Sequence, residues 1–526
     1  MPSTLKPLSV AVALGLACTS PTQSSAAAAA VNSTVPTVVQ KYDTALSRRL
    51  QQVNGEGLNR AGQDPLLDVL ILLDGRASRK GLEALDDPVA KRITLSHRLR
   101  ETAASSQHDL REWLDKQGVA YRPFWIVNAI SARMPASLLP DLARRSDVRA
   151  IESDAAHHAG IPLPPPDQSK SVLAGETWGV LKIRAPEAWA EGYRGQGVVI
   201  AGQDTGYQWD HPALKDKYRG WNGVSADHNY SWHDAIHALI NGATTNSCGL
   251  NLTVPCDDHH HGTHTMGTMV GDDGAAEKIG VAPDAKWIGC RNMEEGDGRP
   301  STYIECFEWF VEPTDLAGNN PDAAKAPDVI NNSWGCPPSE LCDESANATM
   351  ESVVENVRDA GIVVVVSAGN GGSACNTVQD PAAIFAASLT VGATSSTDAI
   401  ANFSSRGPVV GGLLKPNVSA PGVAVRSSIP GGGYTNLQGT SMAGPHVAGA
   451  VALIISANPD LRGDPDTIQA ILESTSVQLT SVQDCGGYPG ADVPNAVFGY
   501  GRIDAYAAVQ AARALLPPEV FSDDFE

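Results

Sequence analysis

Residues 439–450 read GTSMAGPHVAGA and run directly into VALIISA. One serine, Ser441, stands among small residues at the mouth of an apolar stretch. Small side chains let backbones approach closely, and a segment that is apolar on every side belongs inside a core. The stretch therefore predicts a buried helix that begins near Ser441. Pro445 is expected in its first turn, because farther in a proline removes a backbone hydrogen bond. A helix N-terminus favours developing negative charge, which suits a nucleophile. A serine there is also an ordinary helix cap, so the rest of the chain has to decide between the two.

Outward from this helix, from about Thr177, short apolar runs alternate with helical patterns. GVVIAGQDTG (197–206), AKWIGCRNM (285–293), PDVINNSWG (327–335), GIVVVVSAGN (361–370) and SLTVGAT (388–394) read as strands. Helices are expected near 261–271, 301–312, 345–360, 441–457, 465–474 and 503–514. That alternation predicts an α/β fold, a parallel sheet with helices on both faces. Active groups in such sheets collect at the carboxyl ends of the strands.

The segment before it has another grammar. LLDVLILLDG (66–75), FWIVNAISARMP (124–135) and RAIESD read as strands, with a long helix near 93–117 and a short one over 136–148. This predicts a small α+β unit. GIPLPPPDQSKS (160–171) reads as an extended linker.

The chain has 526 residues, enough for two or three domains, and a formal net charge of -21. Nucleic-acid binders carry a basic face, so that class is disfavoured. Lys6, the run LSVAVALGLA and an alanine-rich stretch to Ala30 resemble a cleaved secretory signal, too short to span a bilayer as a mature helix. Lipid anchoring at Cys18 is the lesser reading. No other run suggests a membrane span. Eight cysteines follow the leader, an even set that favours disulfides in an exported chain. The close pairs Cys248/Cys256 and Cys336/Cys342 are the natural candidates.

Three stretches carry chemistry. Asp204 ends an apolar strand in QDTG, His261 opens a helical stretch in DDHHHGTHTMGT, and Ser441 lies in GTSMAGPHVAGA. A hydroxyl attacks only when a base takes its proton. An imidazole does this near neutral pH, and a buried carboxylate orients the imidazole. Each residue has a plainer reading: Asp204 as a turn residue, His261 as a core histidine, and Asp257, Asp258, His259 and His260 as a metal-binding tract. His264 is expected to pack within its helix. The joint occurrence of the three motifs favours chemistry.

Together these motifs resemble the subtilisin-like serine proteases, the subtilases, over roughly Thr177 to Leu515. HGTHTMGTMVG, AKWIGCRNM and INNSWG are most similar to the bacillopeptidase F-type branch. The resemblance implies Asp204 as orienting acid, His261 as general base and Ser441 as nucleophile, with Asn370 of SAGN in the oxyanion hole. It implies that Ser333, Trp334 and Gly335 wall the pocket for the residue before the cut. It makes Gly296 to Gly298 the edge that pairs with an extended substrate. It also implies a secreted endopeptidase acting on proteins or peptides, with no cofactor needed for its chemistry.

The segment before the linker also resembles a subtilase propeptide, which implies a signal peptide over 1–30, an α+β propeptide acting as chaperone and inhibitor over 31–155, and a Pro-rich linker with the maturation site over 156–176. A catalytic domain over 177–516 and an acidic tail over 517–526 follow. The expected state is a monomer without nucleic-acid partners. One departure concerns calcium: the family pattern HPDL stands here as HPAL, so Ala213 replaces a carboxylate ligand. Asp272 and Asp273 read as a solvated acidic loop or as an ion site elsewhere, and the metal position stays open. Two rival functions are an α/β-hydrolase, whose G-x-S-x-G elbow is broken by Ala443, and a binding module that lacks catalysis.

Overall fold

Runs of valine and isoleucine with no polar alternation must be covered on both sides. In the computed structural model, which describes residues 41–55, 64–158, 161, 175–240, 242–335 and 344–517, they form a seven-stranded parallel sheet. Its order is Val418–Pro421, Leu389–Thr394, Val363–Ser367, Val329–Asn332, Val199–Asp204, Lys286–Arg291 and Trp232–Asp234. Alternate residues serve opposite layers. Val363 and Val365 join the core under helices His261–Val270, Thr440–Ala457 and Ala505–Ala514. Val364 and Val366 join the core under Pro300–Val311 and Glu344–Asp359. The α/β class and the two helical layers are those expected. Trp232–Asp234 and Val418–Pro421, three and four residues long, were not anticipated.

Helix Thr440–Ala457 runs through the core with every residue buried except Ser456. Among the described residues it is the one helix long and apolar enough to cross a membrane, and its place is inside the protein. Pro445 is its sixth residue, so the expectation of a first-turn proline is corrected. A proline there cannot donate to the carbonyl four residues back, which is that of Ser441. Ser333 Oγ supplies the missing donor, 3.0 Å from Ser441 O. The helix tolerates Pro445 because another strand's loop replaces the lost bond.

The preceding unit is a four-stranded antiparallel sheet in the order Tyr121–Phe124, Ala129–Pro135, Leu66–Leu73, Val148–Ser153. Val69 and Ile71 pack with Leu110 and Leu114 of helix Pro88–Gln117. That helix starts on the Asp87 cap, with Pro88 in its first turn, and ends at Gly118 in the left-handed region. Leu70 and Leu72, on the other face, share a core with Phe307 and Val353 of the helices Pro300–Val311 and Glu344–Asp359.

The single strand expected over 124–135 is broken by a turn at 125–128. The reason lies across the contact: Trp125 N and Ile126 N leave the sheet to donate to Glu308 Oε2, at 2.6 and 2.9 Å. Asp154 Oδ1 accepts from Ser301 N at the start of the same helix, 2.9 Å away. Glu152 accepts from Thr349 Oγ1 at 2.9 Å. The strand His157–His158 then pairs antiparallel with Asp297–Gly298, placing His157 opposite Gly298 and His158 opposite Asp297.

Three disulfides are present among the described residues. Cys248–Cys256 is the expected close pair. Cys290–Cys306 ties the strand Lys286–Arg291 to the helix Pro300–Val311, and Cys375–Cys485 closes a long loop. The expected pair Cys336/Cys342 lies outside the described residues, as do the leader, most of the Pro-rich linker and most of the acidic tail.

Candidate active site

All strands of a parallel sheet end at the same edge, so the segments leaving them converge. Asp204 is the last residue of Val199–Asp204, Ser333 follows Val329–Asn332, and Asn370 lies three residues past Val363–Ser367. His261 is the first residue of its helix and Ser441 the second of the central one.

Asp204 and His261 are in direct contact. His261 Nδ1 stands 2.8 Å from Asp204 Oδ1, with the side chains 0% and 1% exposed. The carboxylate also accepts from Thr205 N at 2.8 Å and from Thr265 Oγ1 at 3.2 Å. This arrangement directs the His261 Nδ1 proton to the acid and leaves Nε2 as the free base position. Glycine makes the approach possible. A Cβ on Gly262 would lie 2.0 Å from Gly206 O and 3.1 Å from Asp204 Cβ. Gly206 itself has φ 110°, a conformation that other residues rarely adopt.

Ser441 is buried at 5% exposure. Its Oγ donates to Ser333 O at 3.3 Å, while Ser333 Oγ donates back to Ser441 O. His261 Nε2 is buried without a hydrogen-bond partner among the described residues. The Ser441–His261 hydrogen bond is therefore not formed in this rotamer, whereas the acid–base pair is.

Asn370 is exposed, and its carbonyl oxygen is committed. Thr440 N and Thr440 Oγ1 both donate to Asn370 Oδ1, at 2.9 and 3.1 Å. Gly369 N donates to the same hydroxyl at 3.2 Å. With Oδ1 fixed toward Thr440, the amide nitrogen is directed away from it. A side-chain amide beside a helix N-terminus is suited to hold an oxygen that becomes charged. Thr440 was missed in the sequence, because nothing local distinguishes a helix-start threonine that orients a neighbour from one that caps.

The two aspartates that precede the histidine tract have structural partners. Asp257 accepts from Thr205 Oγ1, His259 N and His260 N on one oxygen and from Thr263 N and Oγ1 on the other, all within 3.0 Å. Asp258 pairs with the buried Arg291 at 2.6 Å. These bonds brace the turn into His261. Burial lowers the His260 imidazole to about 4. His264 is pushed down to about 3, by burial first and then by His261. It spans to Val425 O and Thr435 O at 3.0 and 3.2 Å, a packing role as expected.

The position at which the resemblance implies a calcium carboxylate carries none. Ala213 is buried and apolar. Asp272 accepts from Gly274 N, and Asp273 from Ala275 N and Glu277 N, each within 3.0 Å. Among the described residues no three His, Cys, Asp or Glu side chains are grouped to hold an ion.

The residues expected at a substrate edge fall as follows. Asp297–Gly298 pairs with Met293–Glu294 on one side and His157–His158 on the other. His158 Nδ1 contacts Asp297 Oδ1 at 2.8 Å. Gly296 forms the turn, with Ile161 beside it. Trp334 is buried and stacks on Tyr303, centroids 3.9 Å apart and planes at 4°, so the indole is anchored as well as lying beside Ser333.

Comparison with known proteins agrees with this geometry. The profile of the subtilase family matches residues 195–501. Bacillopeptidase F of Bacillus subtilis is 35% identical over 453 residues, covering 83% of this chain, and the chain spans 30% of that protein's length. Subtilisin E of Bacillus subtilis is 30% identical over 399 residues, 75% of this chain and 84% of the relative. The alkaline protease of Alkalihalobacillus alcalophilus is 31% identical over 366 residues, 69% of this chain and 77% of the relative. The chain belongs to the subtilase family and is a serine endopeptidase, a hydrolase of protein substrates.

Proposed function

We propose that this chain is a secreted, self-processing endopeptidase that works through an acyl-enzyme with Ser441 as nucleophile. His261 takes the Ser441 proton through Nε2 and returns it to the leaving amine, while Asp204 stabilises the imidazolium. The Ser441 backbone N–H and the Asn370 amide hold the oxyanion. No cofactor takes part. The observation that carries this reading is the buried 2.8 Å Asp204–His261 pair at the sheet edge where the Ser441 helix begins. The leader supports export.

Residues 31–155 are proposed as the chaperone and inhibitor, removed at a cut between about Ser153 and Gly175. The support is the strand His157–His158 that directly follows this unit and pairs with Asp297–Gly298, since a segment lying on the substrate edge blocks it. A tethered segment is held there at high effective concentration. A serine-directed fluorophosphonate probe followed by casein and ester assays tests the whole reading. Labelling of Ser441 with casein cleavage is expected. A folded protein that is neither labelled nor active refutes it, and esterase activity without casein cleavage removes the endopeptidase part of the reading.

A further inference from the structure

Two segments run from Ser441 into the protein. Ser333 to Gly335 begins at the reciprocal Ser333–Ser441 hydrogen bonds. Gly369 and Asn370 begin at Thr440, the residue before Ser441. Both arrive at one side chain, Asp380. A Cβ built on Gly335 would lie 2.7 Å from Asp380 Cγ and 2.9 Å from its Oδ2. A Cβ built on Gly369 would lie 2.4 Å from the same Oδ2. The carboxyl group is thus packed against both glycines, and only glycine at 335 and 369 leaves it that space. Asp380 is itself partly exposed, while Gly335 and Gly369 are buried.

From this we infer that Asp380 is the specificity-determining residue of the pocket next to Ser441, and that the enzyme cuts after Lys or Arg. The inference rests on the peptidase reading above. Ser333 touches the nucleophile and Gly335 touches Asp380, two residues farther on. Two residues of chain span at most about 7 Å, which is the reach of the long stem of a lysine or arginine side chain. An acyl group on Ser441 whose side chain follows these segments brings its cationic end to the Asp380 carboxylate. The same logic gives trypsin its basic preference, with an aspartate in the pocket where chymotrypsin has an apolar slot. Arg gains most, because its planar fork matches a carboxylate. The sequence did not show this: Asp380 lies ten residues past Asn370, in a segment with no motif, and only the close approach of two glycines singles it out.

The test is a panel of peptide anilides that differ only in the last residue before the cut: Arg, Lys, Leu, Phe and Glu. Wild type is expected to show kcat/KM for Arg and Lys at least about tenfold above Leu and Phe. Asp380→Asn keeps the shape against both glycines and removes the charge. It should lower the Arg-to-Leu ratio by about 30-fold or more, a ratio in which the folded fraction cancels. Asp380→Ser, if Asn packs poorly, should lower it similarly. A wild type that is labelled by fluorophosphonate but cuts after Leu or Phe at least as well as after Arg overturns the pocket and leaves the peptidase reading intact. So does an Asp380→Asn ratio equal to wild type. A protein that is neither labelled nor active removes both readings.

Discussion

The two larger sheets among the described residues, one of almost wholly buried strands and one of partly exposed strands, use different parts of themselves. In the seven-stranded parallel sheet all strands end at one edge, and that edge gathers Asp204, Ser333 and Asn370 beside two helix starts. In the four-stranded antiparallel sheet neighbouring strands end at opposite edges, so no edge collects side chains. Its working part is a face: Leu70 and Leu72 lie in a shared core with the helices Pro300–Val311 and Glu344–Asp359. Polar groups at its rim, Trp125 N, Ile126 N, Glu152 and Asp154, fix the docking position. Parallel topology concentrates chemistry, and antiparallel topology presents a surface.

The largest expected break in that comparison comes from Ser441→Ala. The helix should form unchanged, since Ser333 donates to the backbone carbonyl and not to the side chain. Peptide hydrolysis should fall to background, a loss of about 10⁶ in kcat for the equivalent change in subtilisin itself. Intact-mass measurement in a protease-free host should show wild type cut between about Ser153 and Gly175 and the variant whole. Near wild-type proteolysis by the purified, folded variant would remove Ser441 as nucleophile. Equal processing of both chains would remove self-cleavage alone.

Asn370→Leu comes next. It keeps similar bulk and offers no donor. A contact made only in the transition state lowers kcat and leaves KM almost unchanged. The expected loss is about 10² to 10³, the figure known from subtilisin for such a donor. Steady-state kinetics on a peptide anilide decide it, and a variant with raised KM and unchanged kcat would make Asn370 a ground-state contact.

Thr440→Val sharpens the same point with a smaller effect. Valine keeps the backbone N–H to Asn370 Oδ1 and loses the hydroxyl that bonds the same oxygen. One of two positioning bonds goes, so kcat should fall about tenfold, and Thr440→Ser should restore most of it. Equal kcat in the Val and Ser variants would show that the backbone bond alone orients Asn370.

These cases also mark what the sequence could say. Strands of five or more residues in the parallel sheet and the long helices from Pro88 onward were legible, because burial on one or both faces imposes a period, whereas the helix Thr44–Gly55 was not anticipated. Asp204, His261, Ser441 and Asn370 were legible because each sits in a short motif of fixed backbone shape. Thr440, Arg291 and Asp380 were not. Each acts through a partner far along the chain or through packing, as Arg291 does on Asp258, and no local pattern records such a contact. The break at 125–128 was hidden for the same reason: its cause, Glu308, lies on a helix about 180 residues away.

The smallest effect concerns the docked face. Glu308 accepts two backbone N–H groups from the turn at 125–128, yet burial outweighs them and raises its carboxyl from 4.5 to about 7. Arg100 opposes the rise and Glu305 adds to it. Asp154 at the same contact is also raised by burial. When the antiparallel sheet lifts away, Glu308 regains water and its ordinary value. The docked state then binds more protons than the undocked state between about pH 4.5 and about pH 7. Docking therefore tightens as pH falls through that window and is weakest above it. Glu308→Gln keeps an acceptor for the two amides and cannot titrate, so its docking should vary less with pH. The measurement is hydrogen-exchange protection of Trp125 and Ile126, corrected for intrinsic rates, in the uncut Ser441→Ala chain at about pH 5.5 and about pH 7.5. Protection should be several-fold higher at the lower pH with Glu308, and the difference should shrink with Gln. An equal pH response in both chains would assign it to Asp154 or to the His237–Glu305–Arg122 group beside it, and would leave Glu308 as a fixed hydrogen-bond acceptor.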